Sequence, residues 1–409
     1  MDTDTEAAES EADEAAELGD DNEDTSSATE APNDDASPEL SEDFIKRRAC
    51  TLAHKNEKFR SSVLLEEACK TAKENHSYDS AATQKKMLEE CKERSGGKII
   101  PHDWQLDIAK CLLLSVDCEL IAPMGAGKTI PFVLPLFYNK EKVMIIISPL
   151  NALEEDQAWQ FWELGITAVP VNGKTYMDKL HKEVTNEKHW IIVTSPDMCL
   201  EHDHFHSLLN APAFARKVCS FIIDEAHCIT QWGNKFREVY LRLGTLRAFM
   251  SARVPFLVTL VTLTPADLAV ICKSVHLERN DTYHLNLGND RPNLTWHVRN
   301  MKAGKSDLES LTFLLLTKDK PKLKRAIIFF DDISVSMDAC CWFREQLPAN
   351  LRDHVACYNS QHGESSKHDS YQRFCDGELD IWFASEAARI GCDIPKIEVV
   401  AQFMVPASL

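Results

Sequence analysis

From Ile99 onward, short apolar runs alternate with longer stretches of helical spacing. The runs at 118–122, 143–148, 190–195, 220–224 and 255–260 have strand length, and each is followed by enough chain for a helix. This strand–helix alternation predicts a parallel sheet covered by helices on both faces. After Asn289-Asp290-Arg291-Pro292-Asn293 the pattern restarts, with strands expected at 326–330, 354–358, 381–384 and 399–403. Two α/β domains in series follow, with parallel sheets in tandem. Upstream, residues 44–95 carry apolar positions at helical spacing (Val63, Leu64, Leu65, Ala68, Cys69) and predict two helices stopping at Ser95-Gly96-Gly97. The expected division is a tail over 1–43, a helical extension over 44–97, a first domain over 98–285, a linker over 286–300 and a second domain over 301–409.

Composition adds constraints. With 44% hydrophobic and 27% charged residues, the 409-residue chain is of the soluble globular class. No apolar run approaches the roughly 18 residues that a membrane-spanning helix needs, so no membrane partner is expected. The acidic N-terminus argues against a secretory signal. The 14 cysteines contain no Cys-x-x-Cys pair, which signals reduced thiols inside a cell instead of a zinc site or a disulfide framework. Adjacent Cys340 and Cys341 read as two small hydrophobes at the start of a helix.

The net charge of −19 is unevenly placed. Residues 1–43 hold 18 of the 64 acidic side chains and no Lys or Arg, so the rest carries 46 acidic against 45 basic residues, a net charge of −1. The tail is expected to be disordered, and the near-neutral remainder can still carry a basic groove for nucleic acid. Lys46-Arg47-Arg48 is a short basic cluster of the kind that aids nuclear import.

Two segments carry candidate chemistry. Residues 122–129, Ala-Pro-Met-Gly-Ala-Gly-Lys-Thr, follow a strand and lead into a helix. Gly125 and Gly127 let the backbone turn its N–H groups toward phosphate oxygens with no Cβ in the way. Pro123, Met124 and Ala126 complete that loop. Lys128 can reach the β- and γ-phosphates, Thr129 offers a hydroxyl to Mg²⁺, and the following helix places its positive end under the anion. The second segment is Asp-Glu-Ala-His after three apolar residues, with Asp224 lying 96 positions beyond Lys128. A strand end delivers Asp224 to hold Mg²⁺ and Glu225 to orient and deprotonate the attacking water. ATP and Mg²⁺ are the cofactors implied.

From Ile99 to the C-terminus the chain resembles the RecQ family of superfamily 2 DNA helicases. Gln105 stands where that family's adenine-reading glutamine belongs. Residues 148–157, Ser-Pro-Leu-Asn-Ala-Leu-Glu-Glu-Asp-Gln, are similar to its SPL-x-x-L-x-x-DQ segment, and Thr-Ser-Pro-Asp at 194–197 stands for its TPE. Cys-Ile-Thr-Gln-Trp-Gly-Asn-Lys-Phe-Arg at 228–237 is similar to the aromatic-rich loop that couples single-stranded DNA to hydrolysis. Trp232, Phe236 and Arg237 match it, while Asn234 and Lys235 replace the usual His and Asp. Bases stacking on Trp232 and phosphates meeting Arg237 make physical sense, because every base offers a π-face. Residues 289–294 resemble the inter-domain signature. Residues 385–395, opening with Ser385, resemble the second-domain motif that contacts DNA and nucleotide. The resemblance implies two RecA-like domains, a 3′-to-5′ helicase or translocase, single-stranded or partly duplex DNA as partner, and nuclear repair and recombination as setting.

Three departures stand beside it. The Ser/Thr-Ala-Thr triplet that links hydrolysis to unwinding appears as Leu260-Val261-Thr262, without its first hydroxyl. The family's glycine in the second-domain motif is Arg389. The sequence stops before the Q-x-x-G-R-x-G-R segment that carries the family's arginine finger, so the second domain is expected to be incomplete. The alternative expectation is therefore a catalytically impaired relative that binds ATP and nucleic acid. His202, His204 and His206 alternate, but with no fourth ligand nearby they read as a solvated loop and not a metal site.

Overall fold

The structure is a computed structural model. It describes residues 42–405 apart from 149–150, 187, 228–233, 251–252, 262–263, 289–292, 319–320 and 386–393. Three helices open it: α1 (Glu42–His76), α2 (Ser80–Arg94) and α3 (Asp103–Leu113). Asp79 caps α2 by accepting a hydrogen bond from the Ala82 N–H, satisfying one of the orphan donors of its first turn. Seven strands follow, β1 (Asp117–Ile121), β2 (Val143–Ile147), β3 (Ala168–Val171), β4 (Ile191–Thr194), β5 (Val218–Ile223), β6 (Phe256–Leu260) and β7 (Thr282–Asn286). They form one parallel sheet in the order β3-β4-β2-β5-β6-β1-β7.

This sheet is dry on both faces, which is why its central strands read as continuous apolar runs. On β2, Met144 and Ile146 pack on one side, and Val143, Ile145 and Ile147 on the other. The first side is covered by α3, by α4 (Ile130–Tyr138) and by α5 (Asn151–Glu163), through Leu106, Phe132, Phe137 and Phe161. Leu65 of α1 and Met87 and Cys91 of α2 belong to that same cluster, so the helical extension shares the core of the first sheet. The second side is covered by Phe205, Leu209, Tyr240 and Ile271.

Four more strands, β8 (Ala326–Phe329), β9 (Val355–Tyr358), β10 (Ile381–Ala384) and β11 (Val399–Gln402), make a second parallel sheet in the order β11-β8-β10-β9. Its core includes Trp382, fully buried, whose ring lies 4.7 Å from that of Phe374 at 11° and whose Nε1 donates to Ser370 Oγ at 3.0 Å.

All nine expected strands are present within a residue or two of their expected ends. Two strands were not foreseen. β3 contains Pro170 and lies at the sheet edge, the place where a residue without an N–H is tolerated. β7 is polar in sequence, Thr-Tyr-His-Leu-Asn, and is the other edge. The three alternating histidines are not a loop. His202 caps the helix Asp203–Asn210, its Nδ1 accepting from the Phe205 N–H, and His204 and His206 lie within that helix. Cys340 and Cys341 lie well inside the helix Ile333–Glu345 instead of at its start, one buried and one exposed. The acidic tail through residue 41, the inter-domain signature at 289–292 and Arg389 lie outside the described residues. Among the described residues no helix is long and apolar enough to cross a membrane, and no group of His, Cys, Asp or Glu gathers as metal ligands.

Candidate nucleotide-binding site

β1 lies inside the first sheet, between β6 and β7, and its C-terminal end opens into the loop 122–129. The Ala122 N–H still bonds to the Leu260 carbonyl at 3.0 Å, so the loop leaves from a fixed point. Gly125 and Gly127 both adopt φ +78°, the left-handed region that a Cβ disfavours. Thr129 then stands at the N-cap of α4, whose missing backbone partners and dipole favour an anion. Met124 is exposed at the loop's tip, and Pro123 accepts from the Ala126 N–H at 3.3 Å.

Gln105 braces this loop from α3. Its Nε2 donates to the carbonyl of Gly127 at 2.9 Å and more weakly to that of Ala126 at 3.4 Å, and its Oε1 accepts from the His102 N–H at 2.8 Å. The side chain is buried, and in this structure both ends of its amide are engaged by the chain itself.

β5 delivers Asp224 and Glu225 beside the loop. Asp224 is gripped on both oxygens: Oδ1 accepts from Thr259 Oγ1 at 2.5 Å and from the Glu225 N–H at 3.0 Å, and Oδ2 accepts from Gln157 Nε2 at 2.7 Å. Burial raises its pKa, as does Glu225, against the lowering by Thr259, Lys128 and Gln157. Glu225 has φ 49°, a left-handed turn unusual for a non-glycine residue. Burial pushes its carboxyl up, but His227, with Nδ1 3.1 Å from Oε2, and Lys128, with Nζ 3.8 Å from Oε1, more than reverse this and hold it below the usual carboxylate value.

Lys128 Nζ is buried and makes no hydrogen bond among the described residues. A buried ammonium left with only a distant ion pair is costly unless an anion completes it. It lies beside a left-handed glycine loop at a helix N-terminus, so a phosphate group fits it by chemistry and by place.

The sequence model of the DEAD/DEAH box helicase family matches residues 102–266, the stretch that carries all of these groups. The chain carries a DEAD/DEAH box helicase domain. Curated relatives resemble the chain beyond that domain. It is 26% identical over 318 residues to the ATP-dependent DNA helicase Q1 of Pongo abelii, covering 75% of this chain and 46% of that protein. It is 24% identical over 311 residues to the ATP-dependent DNA helicase RecQ of Synechocystis sp., covering 75% and 62%. The chain thus spans about half to three-fifths of the length of these relatives. Among solved structures, the DUF1998 helicase MrfA bound to DNA and AMPPNP superposes with a TM-score of 0.59 at 17% identity, covering 81% of this chain and 47% of that one. The DEAD-box helicase Mss116 bound to ssRNA and UDP-BeF superposes with a TM-score of 0.60 at 17% identity, covering 79% and 69%. These likenesses establish the fold as two tandem helicase-type α/β domains.

Within the helicase domain the structure gathers Gln105, residues 123–129, Asp224 and Glu225 at one end of the first sheet. It places Ser385 elsewhere, buried at the end of β10 in the second sheet. Trp232 lies outside the described residues, as do the side chains of Phe236 and Arg237, whose backbone belongs to the helix Asn234–Leu241. The aligned triplet keeps Leu260 at its first position, and one residue ahead of it the Thr259 hydroxyl donates to Asp224 Oδ1. Thr259, Gln157 and His227 carry the site beside the expected residues. Gln157 and His227 were visible inside the matched segments, but nothing in their spacing assigned them a contact.

Proposed function

We propose that the chain is an ATP- and Mg²⁺-dependent DNA helicase or translocase of RecQ type, moving 3′ to 5′ on single-stranded or partly duplex DNA. The observation that carries the nucleotide reading is Lys128, a buried ammonium without a hydrogen-bond partner at the mouth of a glycine loop. Thr129 and Asp224 are the groups that would hold Mg²⁺, which when bound neutralises phosphate charge. Glu225, kept ionised by His227 and Lys128, is fitted to accept a proton from water. The N–H groups of the loop and the Lys128 ammonium bind and orient the phosphates.

The DNA part of the proposal rests on the likeness to RecQ and Q1 helicases and on the resemblance of the sequence at 228–237 to the aromatic-rich loop of that family. Steady-state phosphate release by the full chain, with and without single-stranded DNA, tests the whole. DNA-stimulated turnover is expected, with Trp232→Ala weakening DNA binding by about 1–3 kcal/mol at an unchanged salt dependence. Arg237→Ala should instead lower the salt slope by about one unit. Phosphate release indifferent to DNA, together with wild-type DNA affinity in Trp232→Ala, would sink the helicase reading.

A further inference from the structure

We propose that Gln157 is a positioning residue for Asp224, fixing the carboxylate that is to hold Mg²⁺; this deepens the nucleotide reading above and rests on it. Gln157 lies on the inward side of α5, and its Nε2 reaches Asp224 Oδ2 at 2.7 Å across 67 residues of sequence. Among the described residues it is the partner of that oxygen, whereas Oδ1 is shared by Thr259 and the Glu225 N–H. Without Gln157 the carboxylate would be gripped on one side only and could swing about that side.

The helix that carries Gln157 is itself locked. One turn earlier Glu154, fully buried, accepts from Asn172 Nδ2 at 3.0 Å, which ties α5 to the end of β3. On the following turn Ala158 and Phe161 are packed into the first-sheet core. α5 also follows β2 directly, and β2 holds Asp224 by a second route, the Asp224 N–H donating to the Ile147 carbonyl at 3.0 Å. Backbone and side chain of Asp224 therefore answer to the same β2–α5 unit. A rigid donor of this kind narrows the orientations of a liganding carboxylate, and removing such outer contacts typically costs 10–100-fold in metal affinity.

A purely structural role, in which the contact merely pins α5, would lower stability and leave the metal requirement alone. The deciding experiment titrates Mg²⁺ against binding of a fluorescent ATP analogue by the full chain, beside a thermal melt. Gln157→Met keeps length and helix preference but has no N–H; Gln157→Ala removes the donor with no risk of overpacking. Both are expected to raise the Mg²⁺ concentration for half-maximal binding about 10-fold or more, with Mg²⁺-free binding equal to wild type. Gln160→Met, at an exposed position three residues further along α5, should change neither. A wild-type Mg²⁺ requirement in a folded Gln157 variant overturns the proposal, whether or not the melt has shifted. Wild-type protein that binds no nucleotide at any Mg²⁺ concentration would instead remove the underlying nucleotide reading, and that result is read before any variant is made.

Discussion

Lys128 Nζ lies 3.8 Å from Glu225 Oε1, near enough to feel its charge and too far to hydrogen-bond. The opposite oxygen of Glu225 faces His227 Nδ1 at 3.1 Å, so His227 shares with the lysine in holding that carboxyl below its usual value. Lys128 is thus poised without being spent. Lys128→Ala should lower affinity for an ATP analogue about 10- to 100-fold, since charge-assisted contacts are worth about 1.5–3 kcal/mol. It should leave the melting temperature unchanged or raise it, because no hydrogen bond within the protein is lost and a buried charge without a hydrogen bond is removed. Fluorescence titration and a thermal melt on the same samples check both halves; equal nucleotide affinity would overturn the phosphate assignment.

Gly127 and Gly125 share φ +78° but not surroundings. A Cβ on Gly127 would stand 2.8 Å from Gln105 Nε2, whereas one on Gly125 would meet nothing within 4 Å. Gly125→Ala should therefore cost only the left-handed backbone strain, about 1–2 kcal/mol. Gly127→Ala should cost more in denaturant unfolding and weaken nucleotide binding, by breaking the brace from α3. In a Gln105→Ala background that excess should shrink, since the clashing atom is gone. Equal unfolding costs for the two glycine variants would show that Gln105 gives way freely.

The parts of the site that were legible in the sequence are those built from consecutive residues. The loop 122–129 and Asp224-Glu225 each follow a strand, so their side chains share a fixed end of the sheet whatever the rest of the chain does. Gln157 and Thr259 reach Asp224 from 67 and 35 residues away, and no local spacing encodes that approach. The fold shows the same division. Interior strands announce themselves as apolar runs because both faces are covered, while edge strands need not be apolar, so Pro170 hid β3 and the polar run around His284 hid β7. Glu119 would have argued against a central strand by its charge alone. It is tolerated in β1 because His284, its neighbour in the sheet register, meets it.

That pair gives the protein a pH dependence with a definite sign. His284 Nδ1 lies 2.9 Å from Glu119 Oε2 and Nε2 lies 3.1 Å from the Arg279 carbonyl, so both ring nitrogens face acceptors and the doubly protonated ring is favoured. Burial lowers the imidazole pKa, but Glu119 more than reverses this and holds it above the usual 6.5. The other polar neighbours are the Cys272 thiol, 3.5 Å from the same Glu119 oxygen and pushed up to about 12 by burial and Glu119, and the Glu57–Arg279 ion pair. Ser61 Oγ of α1 both donates to the His284 carbonyl and accepts from its N–H, so the backbone at His284 also seats α1 against β7. A folded pKa above the unfolded one means that the stabilisation is complete below the unfolded value and fades as pH rises through the folded value. His284→Gln should therefore lower stability by about 1–3 kcal/mol near pH 6 and by clearly less near pH 9. Urea unfolding of both proteins across that range checks this. A gap that stays constant with pH would mean that His284 is neutral in the folded protein and that Glu119 is satisfied by neutral donors alone.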